Sequence, residues 1–215
     1  MYKIALFDLD GTLTDPGIGI TNSVMHALRK MNVPIKERSE YYKFIGPPLL
    51  HGFQDYCGFS EEKAQQAVAY FREYFPTKGI FENKVYEGVE PMLQQLVNQD
   101  LKLCVATSKP EPFAKQILEH FHLEQYFSFI GGSTLDETRS DKAEVIRYVL
   151  DAEGIRDQGS VIMVGDREHD IIGAKKNGLD SLGVLYGYGD REELETAGAK
   201  FIAEKPEDIV QKICR

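Results

Sequence analysis

The chain has 215 residues, of which 42% are hydrophobic and 27% charged, so it can bury a full core without disulfides or structural metals. Its 25 Lys and Arg residues against 34 Asp and Glu residues give a net charge of −9. Because phosphate backbones and anionic lipid surfaces are bound by basic faces, this charge argues against nucleic-acid and membrane partners. The sequence also contains no apolar run near the ~18 residues that a membrane-spanning helix needs.

The N-terminus and the cysteines indicate a cellular compartment. The first ten residues, MYKIALFDLD, already contain two acids and therefore do not resemble a signal peptide. Cys57, Cys104 and Cys214 are odd in number, widely spaced and without a CxxC pair, so neither a disulfide framework nor a zinc site is expected. We therefore predict a cytoplasmic protein, either a monomer or a homodimer.

The first predicted strand is the apolar run Ile4–Phe7, and a helical interval follows it. Between residues 15 and 83 no strand-like run appears. Helices are predicted at Ile20–Met31 and Glu61–Phe75, with weaker signals at Glu40–Phe44 and Leu49–Tyr56. This interval predicts a small all-helical domain, residues 16–83, inserted after the first strand.

From residue 84 onward, short apolar runs alternate with helical patterns. The predicted strands are Leu101–Ala106, Val161–Val164 and Leu182–Leu185, with Phe127–Ile130 and Lys200–Ala203 as weaker candidates. The predicted helices are Pro91–Asn98, Pro112–Phe121, Asp141–Glu153, 168–177 and 190–197. This alternation predicts an α/β fold with a parallel sheet for residues 1–15 and 84–215.

Two acids follow the first predicted strand. Asp8 and Asp10 are two residues apart, so both side chains project to the same side at the carboxyl end of that strand. Open α/β sheets bind ligands at this end. Adjacent carboxylates are tolerated when a cation lies between them or one carries a proton, and Gly11 lets the backbone turn toward an anion. The alternative is an ordinary Asp-Gly turn with solvated acids.

A second acidic group follows the predicted strand Val161–Val164. Asp166 and Asp170 are four residues apart, so a helix that begins after Gly165 would align them on one side. Hard oxygen ligands of this kind suit Mg²⁺. The alternative is that these acids only complement a helix dipole.

Hydroxyl and cationic side chains occur near two other predicted strand ends. Thr107 and Ser108 follow a buried run and precede a helix, where they can form an anion cradle or simply cap the helix. Lys142 lies in the first turn of a predicted helix, which is the unfavourable end of the dipole for a cation. Such a violation often marks a functional position. Lys109 and Arg139 are rival cations for that role.

Together these motifs resemble the haloacid dehalogenase superfamily of phosphatases. DxDGT, a strand-end Thr, a Lys at a helix start and GDxxxD occur here in the order of that family, over essentially the whole chain. The helical insertion resembles the cap of its phosphoglycolate-phosphatase-like branch. The stretches FDLDGTLTDP, TSKPEPF and MVGDREHDIIGAKKNG are similar to that branch and to bacterial nucleotidases within it. The resemblance implies a Rossmann-like parallel-sheet core with an inserted all-helical cap domain.

The resemblance also implies phosphoryl transfer in two steps. Asp8 would attack the phosphorus and form an aspartyl-phosphate. Asp10 would protonate the leaving oxygen and then activate the water that cleaves the intermediate. Mg²⁺ would be held by Asp8, the backbone carbonyl of Asp10 and Asp166, with Asp170 close behind.

The phosphoryl oxygens would be held by hydroxyls, an ammonium group and turn N–H groups, from Thr107, Ser108, Lys142 and the turn at Gly11. The expected partner is a small phosphorylated metabolite, hydrolysed by a phosphoglycolate phosphatase-like or 5′-nucleotidase activity. The acid at Asp10 favours phosphate esters over carbon–halogen bonds, because a halide leaves without a proton. Phosphomutases share this acid and a similar cap, so a phosphomutase is the alternative within the superfamily.

Three further classes match less well. A phospho-accepting signalling receiver also gathers acids, a Thr and a Lys at strand ends, but it is shorter and lacks the insertion and the second acid. A dinucleotide-binding oxidoreductase needs GxGxxG where this chain has DLDGT. A catalytically silent binding protein would not need the intact set Asp8, Asp10, Thr107, Lys142 and Asp166.

Overall fold

The computed structural model describes residues 2–136 and 138–214. The chain forms two compact units. The core unit contains the chain up to Thr14 and again from Val85 onward, and the helical unit is Asp15–Lys84. Across the described ranges, no helix has the combination of length and apolar character that crossing a bilayer requires.

The elements of both units follow one another in chain order. The strands are β1 Ile4–Phe7, β2 Thr14–Asp15, β3 Lys84–Val85, β4 Lys102–Pro110, β5 Phe129–Ser133, β6 Val161–Gly165, β7 Asp180–Val184 and β8 Phe201–Ala203. The helices are α1 Gly17–Lys30, α2 Leu49–Cys57, α3 Glu61–Tyr74, α4 Val89–Asn98, α5 Glu111–His120, α6 Lys142–Ala152, α7 Glu168–Lys176, α8 Arg191–Ala197 and α9 Pro206–Ile213. Strands β2 and β3, at the two connections between the units, pair with each other.

The core unit is built on a six-stranded parallel sheet in the order β5-β4-β1-β6-β7-β8. Its central strands are apolar and buried, as a sheet covered on both faces requires. On one face, Leu6 and Met163 of the sheet pack with Val149 of α6 and Ala174 of α7. The predicted α/β fold with a parallel-sheet core is confirmed.

Strand register brings three chain segments to the same edge. Phe7 of β1 lies beside Val105 of β4 and Val164 of β6. Because all three strands run in the same direction, the residues that follow these positions emerge together at one edge of the sheet. The chain leaves β1 toward β4 on one side and later returns to β6 on the other, so this edge is the switch point where open α/β sheets bind ligands.

Strands β4 and β5 differ most from their predicted bounds. Strand β4 continues past Ala106 to Pro110, and its register with β5 shifts between these two residues. Strand β5 lies two to three residues later than predicted, because Gly131 and Gly132 belong to it rather than to a turn. A Cβ at Gly132 would lie 2.6 Å from the Lys109 carbonyl oxygen, so glycine permits the close approach of β4.

Among the helices, α1 and α9 differ most from prediction. Helix α1 begins three residues earlier than expected, and its Gly19 packs so closely that a Cβ would lie 1.9 Å from the Gly79 carbonyl oxygen. Close packing therefore explains a glycine that helix propensity disfavours. Helix α9 was not predicted; Pro206 lies in its first turn, and Ile209 and Ile213 are fully buried.

The helical unit is organised around aromatic side chains. The ring of Phe44 lies 5.1 Å from that of Phe53 and 5.3 Å from that of Tyr56, measured between centroids. The rings of Phe71 and Phe75 stack at 5.3 Å. Short turns complete the unit, a 3₁₀ segment at Arg38–Phe44 and a π turn at Phe75–Gly79. These rings supply the apolar core of the helical unit, because the two-residue strands β2 and β3 bury little apolar surface.

Candidate active site

Three buried acids meet at the edge where β1 and β6 end. Asp8 follows β1, Asp166 follows β6, and Asp170 lies in the first turn of α7. One carboxylate oxygen of each acid lies within 4.8 Å of the others. The structure thus brings together three of the four acids that the sequence analysis selected.

A buried lysine crosses this acidic cluster. The Lys142 Nζ atom lies 2.8 Å from Asp8 Oδ1 and 2.8 Å from Asp170 Oδ1, and it donates a hydrogen bond to the Ala106 carbonyl oxygen at 3.1 Å. Helix α6 begins at this lysine, after Asp141, whose side chain accepts a hydrogen bond from the Ala143 N–H. The two carboxylates explain why a cation is tolerated at the positive end of the helix dipole.

The carboxylate of Asp166 is held by the backbone and by a hydroxyl. The Tyr188 N–H donates to Asp166 Oδ2 at 2.8 Å, and Thr12 Oγ1 lies 3.4 Å from Asp166 Oδ1. Gly11 has a φ of +84°, and a Cβ there would lie 2.1 Å from Asp166 Oδ2. Since the Gly11 N–H donates to the Thr14 carbonyl oxygen at 2.8 Å, Gly11 serves this site by shaping the turn and leaving room for Asp166.

Helix α7 starts at Glu168, where the sequence predicts it, so Asp166 precedes the helix and the expectation that one helix from Gly165 would align Asp166 with Asp170 is wrong. The backbone at Arg167 is extended, and its N–H donates to Asp170 Oδ2 at 3.2 Å. Glu193 fixes this turn from outside, because its Oε1 accepts from the Arg167 Nε and the Glu168 N–H, each at 2.8 Å. Asp166 and Asp170 therefore converge across a helix start and not along one helix face.

Asp10 has a separate cationic partner. The Lys109 Nζ atom lies 2.6 Å from Asp10 Oδ2, and both side chains are buried. The other carboxylate oxygen, Asp10 Oδ1, is buried and has no hydrogen-bond partner among the described residues. The Lys109 N–H donates to Thr107 Oγ1 at 3.2 Å, and Ser108 between them is half-buried. The sequence presented Lys109 only as a rival of Lys142, but it contacts a different acid.

Arg139, the other rival cation, lies in a different environment. Its Nε and Nη2 atoms donate to the Gly132 carbonyl oxygen at 3.1 and 3.0 Å. Its guanidinium carbon lies 3.7 Å from the centre of the Tyr148 ring, and Nη2 lies 3.6 Å from Glu111 Oε2. These contacts connect β5, α5 and α6.

Burial shifts the titration of the clustered groups. Desolvation raises the pKa of Asp166 well above its usual range, and repulsion from Asp170 and Asp8 adds to this. Desolvation likewise raises the pKa of Asp170 to about 6, although Lys142 opposes the shift. For Lys142, desolvation disfavours the ammonium form, but attraction to Asp170 and Asp8 outweighs it and raises the pKa. Burial also raises the pKa of Asp10, against the opposing attraction of Lys109.

The three-acid cluster fits a hard divalent cation. Asp8, Asp166 and Asp170 are buried and repel one another, and Lys142 offsets only part of that negative charge. Carboxylate oxygens are the ligands that Mg²⁺ takes in proteins, commonly one or two together with water. A cation here would relieve the repulsion that raises the pKa values of Asp166 and Asp170.

Comparison with known proteins gives the class of this chain. Residues 5–184 match the model of the haloacid dehalogenase-like hydrolase family. The chain therefore belongs to this family of enzymes, and the resemblance found in the sequence is confirmed.

The chain is also similar to individual proteins of known name or structure. A 5′-nucleotidase from Pseudomonas aeruginosa is 46% identical over 193 residues, which cover 90% of this chain and 87% of that protein. The tyrosine-protein kinase PtkA of Mycobacterium tuberculosis is 38% identical over 187 residues, 87% of this chain but 63% of that protein. A solved structure titled as a predicted phosphatase from Clostridium acetobutylicum is 50% identical, with a TM-score of 0.96 over 100% of this chain and 99% of that one.

Several contacts of the site were missed by the sequence analysis. The Tyr188 N–H, the Thr12 hydroxyl and Glu193 hold the acids or the turn that carries them. The available signal was the alternating glycine segment LYGYG after β7. A Cβ at Gly187 would lie 2.4 Å from the Asp166 Cβ, so this segment must pass very close to the acid.

Proposed function

We propose that this protein is a Mg²⁺-dependent phosphatase of small phosphomonoesters that acts through an aspartyl-phosphate on Asp8. One observation carries the proposal. The Asp8 carboxylate lies at the switch-point edge of the sheet, within 4.8 Å of Asp166 and Asp170 oxygens and 2.8 Å from the Lys142 ammonium group. A nucleophilic carboxylate, a cation site and a fixed positive charge are thereby gathered at one point.

The two carboxyl groups of the DxD pair have different roles in the reaction: Asp8 is the nucleophile, and Asp10 transfers protons. In the first step, an oxygen of Asp8 attacks phosphorus, the ester P–O bond breaks, and Asp10 gives its proton to the leaving oxygen. In the second step, water attacks the phosphorus of the acyl phosphate and gives a proton to Asp10. The bond between phosphorus and the Asp8 oxygen breaks, releasing inorganic phosphate and restoring both acids. The raised pKa of Asp10 supports its role as proton donor.

Asp8, Asp166 and the backbone carbonyl of Asp10 would hold Mg²⁺, with Asp170 beside them. When bound there, the ion supplies positive charge that offsets the repulsion between a phosphate dianion and the Asp8 carboxylate. Lys142 supplies a second positive charge, and Thr107 and Ser108 offer hydroxyl donors on the neighbouring strand β4. These donors stabilise the phosphoryl group most strongly as charge develops during transfer.

Nucleoside 5′-monophosphates are the first substrates to test, because the relative that is 46% identical is named a 5′-nucleotidase. Phosphoglycolate and sugar phosphates follow as smaller esters. ATP with a tyrosine acceptor is included because another relative is named a tyrosine-protein kinase. We expect a small metabolite as the partner, a cytoplasmic location, and a monomer or homodimer.

Phosphate release across this panel tests the proposal. The assay is run with Mg²⁺, with EDTA, and with Asp8→Asn in place of the parent protein. Metal-dependent release that the variant lacks supports the phosphatase assignment. Isomerised ester without phosphate release identifies a phosphomutase, and phosphotyrosine formed from ATP identifies a kinase. No turnover at all by the folded protein would overturn the proposal.

A further inference from the structure

We propose that Lys109 is a positioning residue that orients the carboxyl group of Asp10 for proton transfer to the leaving oxygen. The inference rests on the proposed phosphatase function. Its starting point is an ion pair inside the core unit, in which the Lys109 Nζ atom lies 2.6 Å from Asp10 Oδ2. Lys109 and Asp10 are 9% and 8% exposed, so water screens this pair very little.

The backbone holds Lys109 where it can reach Asp10. Strand β4 continues past Ala106 with a shifted register, and this extension carries Lys109. The Lys109 N–H donates to Thr107 Oγ1 at 3.2 Å. On the other side, Gly132 of β5 approaches so closely that a Cβ would lie 2.6 Å from the Lys109 carbonyl oxygen. The ammonium group is thus presented from a fixed strand and not from a mobile loop.

The pairing leaves Asp10 with two different oxygens. Lys109 contacts Oδ2, whereas Oδ1 is buried and has no hydrogen-bond partner within the described chain. A buried polar atom without a partner is costly and calls for an explanation. A group that exchanges a proton needs a fixed orientation and an oxygen whose hydrogen-bonding capacity is not already used, and in Asp10 the contact with Lys109 fixes Oδ2 and leaves Oδ1 unused.

The second buried lysine serves a different acid. Lys142 contacts Asp8 and Asp170, at 2.8 Å in each case. Each acid of the DxD pair therefore has its own lysine. Lys142 contacts and orients the nucleophile Asp8, and Lys109 contacts and orients the acid Asp10.

A comparison of two substrates with different leaving groups tests this role, because a purely structural role of Lys109 would affect kcat/KM for both substrates equally. An alkoxide, such as the 5′-oxygen of a nucleoside, needs a proton as it departs, whereas p-nitrophenolate departs without one. The loss of Lys109 should therefore reduce kcat/KM for a nucleoside 5′-monophosphate much more than for p-nitrophenyl phosphate. The ratio kcat/KM is used because it covers steps up to leaving-group departure and excludes the shared hydrolysis of the intermediate.

The test compares Lys109→Met with Lys115→Met. Lys115 is a matched control, because its Nζ also contacts a carboxylate, Glu111 Oε1 at 2.7 Å, but in an exposed pair. We expect Lys109→Met to lower kcat/KM at least about tenfold for the nucleotide and less than about threefold for the aryl ester, since a general acid contributes 10²–10⁴-fold. The control should change neither value.

A double-mutant cycle then tests whether Lys109 acts through Asp10. In an Asp10→Asn background, Lys109→Met should have almost no further effect on the nucleotide, because the acid that it orients is gone. Equal losses on both esters, undiminished losses in the Asp10→Asn background, or no loss at all would each overturn the inference.

Two safeguards keep the result interpretable. If Lys109→Met does not fold, Lys109→Arg keeps the positive charge with a different reach, and it should show the same ester-selective loss to a smaller extent. If the parent protein releases no phosphate from either ester with Mg²⁺, the proposed function fails. If the parent is active on both esters and the Lys109 variants show no ester-selective loss of kcat/KM, only the role proposed for Lys109 is overturned.

Discussion

Charged side chains are paired in both units, but their surroundings differ. In the helical unit, Glu73 Oε2 lies 3.2 Å from His26 Nε2 and 3.0 Å from Lys30 Nζ, and these side chains are 30–48% exposed. At the edge of the core sheet, Lys142 contacts Asp8 and Asp170 at similar distances, with side chains at most 7% exposed. The distances within the two sets of ion pairs are therefore similar, and the sets differ in how much water reaches the charged side chains.

This difference separates stabilisation from function. Water screens the pairs of the helical unit, so each one contributes little and can be removed at little cost. The acids of the core unit are held together against their own repulsion, and their surplus of negative charge is unfavourable unless a cation offsets it. Such strain persists where a ligand or a reaction uses it. The prediction is that equivalent substitutions have very different consequences in the two units.

The largest effect is expected from Asp8→Asn. An amide cannot attack phosphorus, so kcat should fall at least about 10³-fold, while the fold is kept because the side chain has the same shape. Phosphate release and circular dichroism measure the two properties. Asp151→Asn is the matched control, because Asp151 pairs with Arg156 at 3.1 Å on the surface and its side chain is 55% exposed. If Asp8→Asn retained activity, or if the control lost it, the nucleophile would be misassigned.

Lys142→Met should reduce both activity and stability. Removing one partner of a buried ion pair leaves an uncompensated charge, and this should lower the free energy of unfolding by about 3–5 kcal/mol. Activity should fall at least about 10²-fold, as for the loss of a donor to the developing charge. Denaturant unfolding without Mg²⁺, together with the phosphate assay, measures both effects.

Arg139→Met is the appropriate comparison for that lysine. Arg139 is also a cation near the start of α6, but it contacts the Gly132 carbonyl oxygen and the Tyr148 ring. Its loss should reduce stability through lost packing and hydrogen bonds, with a smaller effect on kcat. A larger fall in kcat than for Lys142→Met would show that Arg139 supplies the positive charge.

A third prediction compares one glycine from each unit. Gly11 and Gly58 have φ values of +84° and +66°, but a Cβ would meet Asp166 at 2.1 Å in the first case and nothing within 4 Å in the second. Gly58→Ala should cost only the left-handed strain of about 1–2 kcal/mol. Gly11→Ala should cost more and also displace Asp166, lowering activity and weakening Mg²⁺ binding. Thermal unfolding and Mg²⁺ titration separate these outcomes, and equal effects at both positions would contradict the packing argument.

The sequence predicted the elements whose signals are local. The apolar runs of β1, β4, β6 and β7 are visible because strands covered on both faces must be apolar throughout. Ser60 marks the start of α3, and its Oγ accepts the Lys63 N–H at 3.4 Å. The acids Asp8 and Asp166 were recognised because each ends such a run.

The remainder depended on contacts between distant segments. Gly131 and Gly132 look like a turn in the sequence, yet they belong to β5 because β4 and α6 pack closely against them. The pairing of Lys109 with Asp10 depends on the register shift of β4, which no local pattern encodes. Helix α9 was missed for a different reason, since Ile209, Val210 and Ile213 do recur at helical spacing after Pro206, but the segment is only 8 residues long.

The smallest effect is expected from Glu73→Gln in the helical unit. Hydrogen bonds from His26 and Lys30 hold the pKa of Glu73 below its ordinary value, so the carboxylate contributes stability above an unfolded-state pKa of about 4.3. That contribution is lost as the pH falls through the lower, folded-state pKa. At pH 7 the thermal midpoint should fall by at most about 2 °C, and the difference from the parent should shrink as the pH falls below about 4 and in ~0.5 M salt. A loss as large as that of Lys142→Met, or one that salt leaves unchanged, would show that access of water does not separate the two groups of charges.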